Sequence, residues 1–262
     1  MSAVVNPYSL GAYYVEILAL GNKISNATAF FTKRNEQLYL VTNWHVVSGK
    51  NSDTGELLNT KGAAPDELRV YLPQRIADSG EVIFDDSFLT VILVDEDFNK
   101  LWLETKIDGK VCDVALIPID EVKAPYIINT IEDCEEPFSE QVRFEIASTV
   151  YVIGFPFGKI GGQIPIWKRA SVATEPDYEF ANMPYYLVDT ATRAGMSGSP
   201  VILYEKRPTI LADQASNRVS LHWTKFEGIY SGRIGADNES DAQLGRVWKP
   251  SVIDLILSDN GI

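Results

Sequence analysis

A serine set between glycines in Gly195-Met196-Ser197-Gly198-Ser199-Pro200, a histidine in TNWHVV and an aspartate in DVAL are the residues whose types and order could do covalent chemistry in this chain. A serine hydroxyl that attacks a carbonyl needs an imidazole to take its proton, and the imidazole needs a buried carboxylate to hold it in the useful tautomer. Ser197, His45 and Asp113 are the candidates for nucleophile, general base and orienting carboxylate. The glycines around Ser197 suit a backbone that must aim two N–H groups at a developing oxyanion, where side-chain bulk is poorly tolerated. The amides of Gly195 and Ser197 are therefore the expected oxyanion hole.

The order His45, Asp113, Ser197 differs from that of the α/β hydrolases, which runs Ser, Asp or Glu, His. Asp213 and His222 follow Ser197 and form a rival set on paper, but a nucleophile elbow requires Gly-x-Ser-x-Gly and position 199 is Ser. Only two histidines are present; His222, in SLHWTKF, reads as a structural or surface residue. Asp113 lies in an apolar run, where an unpaired carboxylate is costly to bury, so an imidazole N–H is its expected partner. Asp108 is the competing carboxylate, but IDGK reads as a turn.

Short β-rich segments between turn signals must position these residues, which favours barrels or a sandwich over an α/β architecture. AYYVEILAL, NATAFFT, QLYLVTN, LRVYLP, VIFDDSFLTVILVD, LWLET and VALIPI form a first set; VRFEIAS, YVIGFP, YYLVDT, PVILY and FEGIYS form a second. Between them the composition turns polar and acidic, with Glu132, Asp133, Glu135, Glu136 and Glu140 close together. The expected organisation is residues 1–121 carrying His45 and Asp113, a linker at 122–142, and residues 143–262 carrying Ser197. KPSVIDLILSDNG has apolar residues at helical spacing, with Ser251 as the expected cap. SGKNSDTGELLNTKGAAPDE, directly after the histidine block, is an expected long loop beside the site that shapes substrate access.

A net charge of −13 argues against nucleic acid as a partner, because phosphate binding relies on Lys and Arg. Two cysteines, Cys112 and Cys134, do not make a secreted disulfide scaffold. The N-terminal residues lack the pattern of a secretory signal, and no apolar run reaches transmembrane length, so the expectation is a cytoplasmic protein without membrane association. The sequons at Asn26 and Asn238 are accordingly discounted.

TAFF followed by LVTNWHVV, CDVALIPI, YVIGFPFG, LVDTATRAGMSGSPVIL and EGIYSGRIG, in that order, resemble the blocks of the trypsin-like peptidases of the chymotrypsin fold, particularly the disulfide-free bacterial members. The resemblance implies an all-β fold of two six-stranded antiparallel barrels with a C-terminal helix and an active site in the cleft between them. It implies a serine endopeptidase acting on protein or peptide substrates through an acyl-enzyme, with no metal or organic cofactor. Ala191, where trypsin-like enzymes that cut after Lys or Arg carry Asp, removes the negative floor of the primary pocket. Thr192, Ser231, Gly232 and Arg233 complete the implied substrate-binding positions, and Ser231 also matches the residue that supports the catalytic carboxylate. The implied preference is for small, apolar or acidic residues before the scissile bond, although Asp189 lies near enough in sequence to compete for the pocket. Met196 replaces the Asp that pairs with a new N-terminus after zymogen cleavage, so activation by N-terminal clipping is not expected. Ser199 replaces a glycine, a small change. The same family also allows a latent or silent module that binds peptides or awaits an activating protein partner.

Overall fold

The fold is described from a computed structural model, over residues 5–75, 81–120, 122, 125–135, 143–158, 164–191, 193–209, 219–233 and 244–262. Twelve strands carry it, accompanied by the short helix α1 (Pro7–Leu10), the short helix α2 (Trp44–Ser48) and the C-terminal helix α3 (Ser251–Asp259). The first six are β1 (Tyr13–Ala19), β2 (Asn22–Arg34), β3 (Gln37–Thr42), β4 (Glu67–Tyr71), β5 (Phe88–Ile92) and β6 (Ala115–Ile119), in one antiparallel sheet ordered β6-β3-β2-β1-β4-β5. The second six are β7 (Thr149–Gly154), β8 (Ile166–Val172), β9 (Tyr185–Asp189), β10 (Pro200–Thr209), β11 (Val219–Arg233) and β12 (Leu244–Trp248). They close into a barrel ordered β7-β8-β9-β12-β11-β10, and closure leaves no unpaired strand edge.

The burial of β2 shows why the two units pack together. A half-exposed strand alternates buried and exposed residues, yet Ala27 to Thr32 are all buried. Ala27, Ala29 and Phe31 fill the first unit, while Phe30 on the opposite face packs with Ile202, Phe226 and Ile229 of the second. In β3, Leu40 points into the first unit, and Tyr39 and Val41 join the same central cluster. The helix α3 (Ser251–Asp259) adds Val252, Ile253, Ile256 and Leu257 to that cluster, an i, i+1, i+4, i+5 stripe on one helical face. Each such fully buried side chain contributes roughly 1.5–3 kcal/mol. The stripe follows the sequence expectation, but the cap does not. Pro250 precedes the helix, Ser251 is its first residue, and no side chain caps it.

Some expected strands are absent. LWLET is irregular apart from one bridge, Leu103 to Leu116, because Trp102 Nε1 and Trp44 Nε1 both donate to Glu104 Oε2 (2.8 and 2.7 Å) and hold the segment against the histidine helix. In VRFEIAS, residues 143–148 form a turn, with Glu145 N donating to Ser148 Oγ (3.0 Å). Within VIFDDSFLTVILVD only Val82–Ile83 and β5 are extended. Asp108 does sit in a turn, between the short strands Lys106–Ile107 and Lys110–Val111.

Candidate active site

The antiparallel register that pairs Ala115 with Thr42 brings the residues just before β6 beside those just after β3. Asp113 and His45 are those residues. His45 lies on the short helix α2 (Trp44–Ser48), whose C-terminal Gly49 N donates to His45 O at 3.0 Å. Asn43 fixes the helix start from the other side, its Nδ2 donating to Asp113 O at 2.8 Å. Asp113 Oδ1 accepts the His45 backbone N–H at 2.9 Å and Oδ2 meets His45 Nδ1 at 2.8 Å. The carboxylate is almost wholly buried, with 3% of its side chain exposed, whereas His45 keeps 20% exposure toward the cleft. Burial disfavours the imidazolium, but the charge and hydrogen bond of Asp113 outweigh it and raise the His45 pKa above its ordinary value; Arg246 pulls it back down.

Ser197 reaches the cleft from the other unit, on the turn before β10. That turn is wedged against β2: Thr28 N donates to Ser197 O (2.8 Å), and Thr28 Oγ1 donates to Gly195 O (2.8 Å) while accepting from Phe155 N (3.2 Å). Gly198 N donates to Tyr230 O at 2.9 Å, tying the turn to β11. Two glycines are required by this fit. Gly195 (φ 96°) and Gly198 (φ 81°) lie in the left-handed region, and a Cβ there would stand 2.2 Å from Phe155 O and 2.1 Å from Thr28 O respectively. Among the described residues, the amides of Gly195 and Ser197 have no backbone acceptor, so both donors stay available.

His45, Gly195 and Ser197 line one cavity of about 290 Å³ with Val46, Leu58 and Asn26. The Ser197 hydroxyl makes no hydrogen bond to His45 in this state. Asn26 Nδ2 is buried without an acceptor among the described residues, a donor that sequence reasoning missed. A neighbouring cavity of about 210 Å³ is lined by His45, Asp113, Ser231, Gly232, Arg233 and Arg246 among others, so three expected substrate-binding positions do face the site. The Ser231 hydroxyl accepts from Trp248 Nε1 (3.1 Å), and among the described residues no bond links it to Asp113. Ala191 is half-buried and borders neither cavity, Asp189 is exposed at the end of β9, and Thr192 lies outside the described residues. Met196 is buried among Val150, Val201 and Tyr230 of the second barrel, where no charge could be accommodated cheaply. Ser199 is fully buried and its hydroxyl has no partner among the described residues.

Arg246, on β12, was not foreseen from the sequence. Its only signal there was the polar position between Gly245 and Val247 in LGRVW, where Gly and Arg break the apolar run that marks a strand.

Two six-stranded antiparallel units, with a histidine–carboxylate pair on one and a glycine-flanked serine on the other facing a shared cleft, define the class of two-barrel serine hydrolases. The chain belongs to the trypsin-like peptidase domain family, which matches residues 27–208, and is thereby a serine protease. No curated protein matches it. Among solved structures, HL collagenase superposes with a TM-score of 0.52 at 16% identity, covering 99% of this chain and 96% of that one. The protease Anisep from Arthrobacter nicotinovorans superposes with a TM-score of 0.51 at 11% identity, covering 95% and 94%. At these identities the likeness is one of fold.

Proposed function

We propose that this protease cleaves peptide bonds through Ser197 as nucleophile, His45 as general base and acid, and Asp113 as the group that orients His45. The observation that carries the reading is the double hold of Asp113 on His45, through the ring and the backbone N–H, beside a cavity that Ser197 shares. With Nδ1–H committed to the carboxylate, Nε2 is the basic nitrogen that takes the Ser197 proton as Oγ attacks the scissile carbonyl. The Gly195 and Ser197 amides receive the oxyanion, and His45 returns the proton to the leaving amine to give the acyl-enzyme. Water then repeats the sequence in reverse. No metal or organic cofactor enters any step. Arg233 borders the cavity beside His45 and Asp113, so cleavage follows small, apolar or acidic rather than basic residues. The buried Met196 supports activity without N-terminal clipping. Two unpaired, buried cysteines support a cytoplasmic setting.

The unmade Ser197–His45 hydrogen bond favours a second reading, a latent protease whose cleft is completed by a partner or substrate, although resting sites often tighten only on binding. A fluorophosphonate probe, with the labelled residue located by mass spectrometry and Ser197→Ala as control, tests both. Labelling at Ser197 that vanishes in the variant is expected; no labelling would leave the latent reading in its place.

A further inference from the structure

We infer that Arg246 is a subsite for an acidic side chain of the substrate, upstream of the scissile bond, and that Asp53 of the chain's own loop occupies it in the resting state. The inference rests on the protease reading above and adds to it a ligand chemistry and a built-in competitor.

Arg246 is held for recognition rather than left to solvent. Its guanidinium lies 4.8 Å from the Tyr185 ring centroid and 5.9 Å from that of Trp248, and 13% of its side chain is exposed. Contact with these two rings restrains the guanidinium and leaves its edge for a carboxylate. The edge faces the catalytic side of the cleft: Arg246 lines the cavity that also contains His45 and Asp113, and it is close enough to depress the His45 pKa. It pairs in register with Gly232 of β11, the strand expected to receive the substrate backbone by strand addition.

The edge is occupied by Asp53. Oδ1 accepts from Nη1 and Oδ2 from Nη2, both at 3.1 Å, the parallel two-point geometry of a guanidinium–carboxylate pair. Asp53 sits at the tip of the polar loop that follows the histidine helix. Asn51 N donates to Glu56 O and Gly55 N to Asn51 O (2.8 Å each), and Asn51 Oδ1 accepts from Asp53 N at 2.8 Å, so the tip is a formed turn that presents its carboxylate across the cleft. On its far side lies a third cavity, of about 470 Å³, bordered by Tyr185, Met183 and Trp248. Ser52, Asp53 and Arg246 border both cavities. The loop tip therefore divides what would otherwise be one groove leading away from His45, and a peptide carboxylate that displaces Asp53 would join the two halves.

The exchange is feasible because the two states are close in free energy. Asp53 keeps 65% of its side chain exposed, and exposed ion pairs shift an equilibrium by at most about fivefold. A tethered competitor of that strength lowers the apparent affinity of an acidic ligand by a similar factor and leaves a neutral one untouched.

The test uses tagged tetraglutamate and tetraglutamine peptides, with fluorescence anisotropy on the full chain carrying Ser197→Ala, so that binding is read without turnover. Tetraglutamate should bind about two- to fivefold tighter than tetraglutamine. Adding Asp53→Ala should tighten tetraglutamate alone by about two- to fivefold, and adding Arg246→Gln should remove the discrimination. Equal binding of both peptides, or tighter glutamate binding that survives Arg246→Gln in a variant with an unchanged circular dichroism spectrum, overturns the proposal. Fluorophosphonate labelling of the parent chain is scored separately: labelling with equal peptide binding sinks the subsite and keeps the protease, whereas discrimination without labelling does the reverse.

Discussion

Replacing Thr28 by Val should unseat the nucleophile without touching it. Thr28 is fully buried on β2, and Val reproduces its shape and β-branching, so the change removes one oxygen and little else. That oxygen serves two backbone groups of the other unit, the carbonyl of Gly195 and the amide of Phe155. Leaving a buried polar group unpaired costs about 1–3 kcal/mol, so the two together should lower stability by about 2–6 kcal/mol, a large part of the 5–15 kcal/mol typical of a domain. Urea unfolding should show the midpoint falling at constant m. The same oxygen fixes the Gly195–Met196 peptide, which lies between the amides of Gly195 and Ser197, and misplacement of about 1 Å in such a group can cost on the order of a hundredfold in rate. Fluorophosphonate labelling of Ser197 should therefore slow by at least about tenfold in Thr28→Val under conditions where the variant is fully folded. Thr28→Ser, which keeps the hydroxyl, should label near the parent rate. A Thr28→Val protein within about 0.5 kcal/mol of the parent, labelling at an unchanged rate, would refute the claim that this side chain seats the turn.

The acid limb of Ser197 labelling should report His45: reactivity is lost as pH falls through a midpoint above the ordinary imidazole value, because Asp113 raises it, and Arg246→Gln should move the midpoint higher by removing a repelling charge. A midpoint that moves down would contradict the sign. Glu227, only 4% exposed, has its pKa pushed by burial from 4.5 to about 7, against the pull of Lys225. Its folded form holds the proton more tightly than the unfolded chain, so stability is fully present below pH 4.5 and falls as pH rises toward 7. Glu227→Gln should flatten that slope and gain on the order of 1–3 kcal/mol at pH 8, measured by urea unfolding. Ser199→Ala removes a buried hydroxyl without a partner among the described residues and should raise stability by about 0.5–2 kcal/mol; a loss would mean the hydroxyl is satisfied in solution.

What could be read from the sequence was whatever depended on local pattern. His45, Asp113 and the glycine-flanked turn stand in apolar or turn contexts that leave few alternatives, and β1, β2, β3, β6 and α3 follow their hydrophobic runs. The failures have physical causes. In IWKRASV the polar Lys168 and Arg169 mask a strand whose buried residues are only Ala170 and Val172. LWLET reads as a strand by composition, but its Trp102 and Glu104 are committed to a side-chain hydrogen bond with each other, and Glu104 also to Trp44 of the histidine helix. Arg246 and Asp53 meet across 193 residues, and nothing local to either records the pairing. Asn26 was noted only for its sequon, because its place beside Gly195 depends on how the two units dock.

The contact of Gly198 with Thr28 and Thr42 has a consequence for the protein's life history. The serine turn has no seat within its own barrel alone; β2 and β3 form one wall of it. During synthesis, the residues of that wall are made well before Ser197, and the serine turn finds its seat only when both units pack on each other. A fragment retaining either unit alone lacks half of the seat. On the proposed mechanism, reactivity at Ser197 therefore requires both units of the polypeptide.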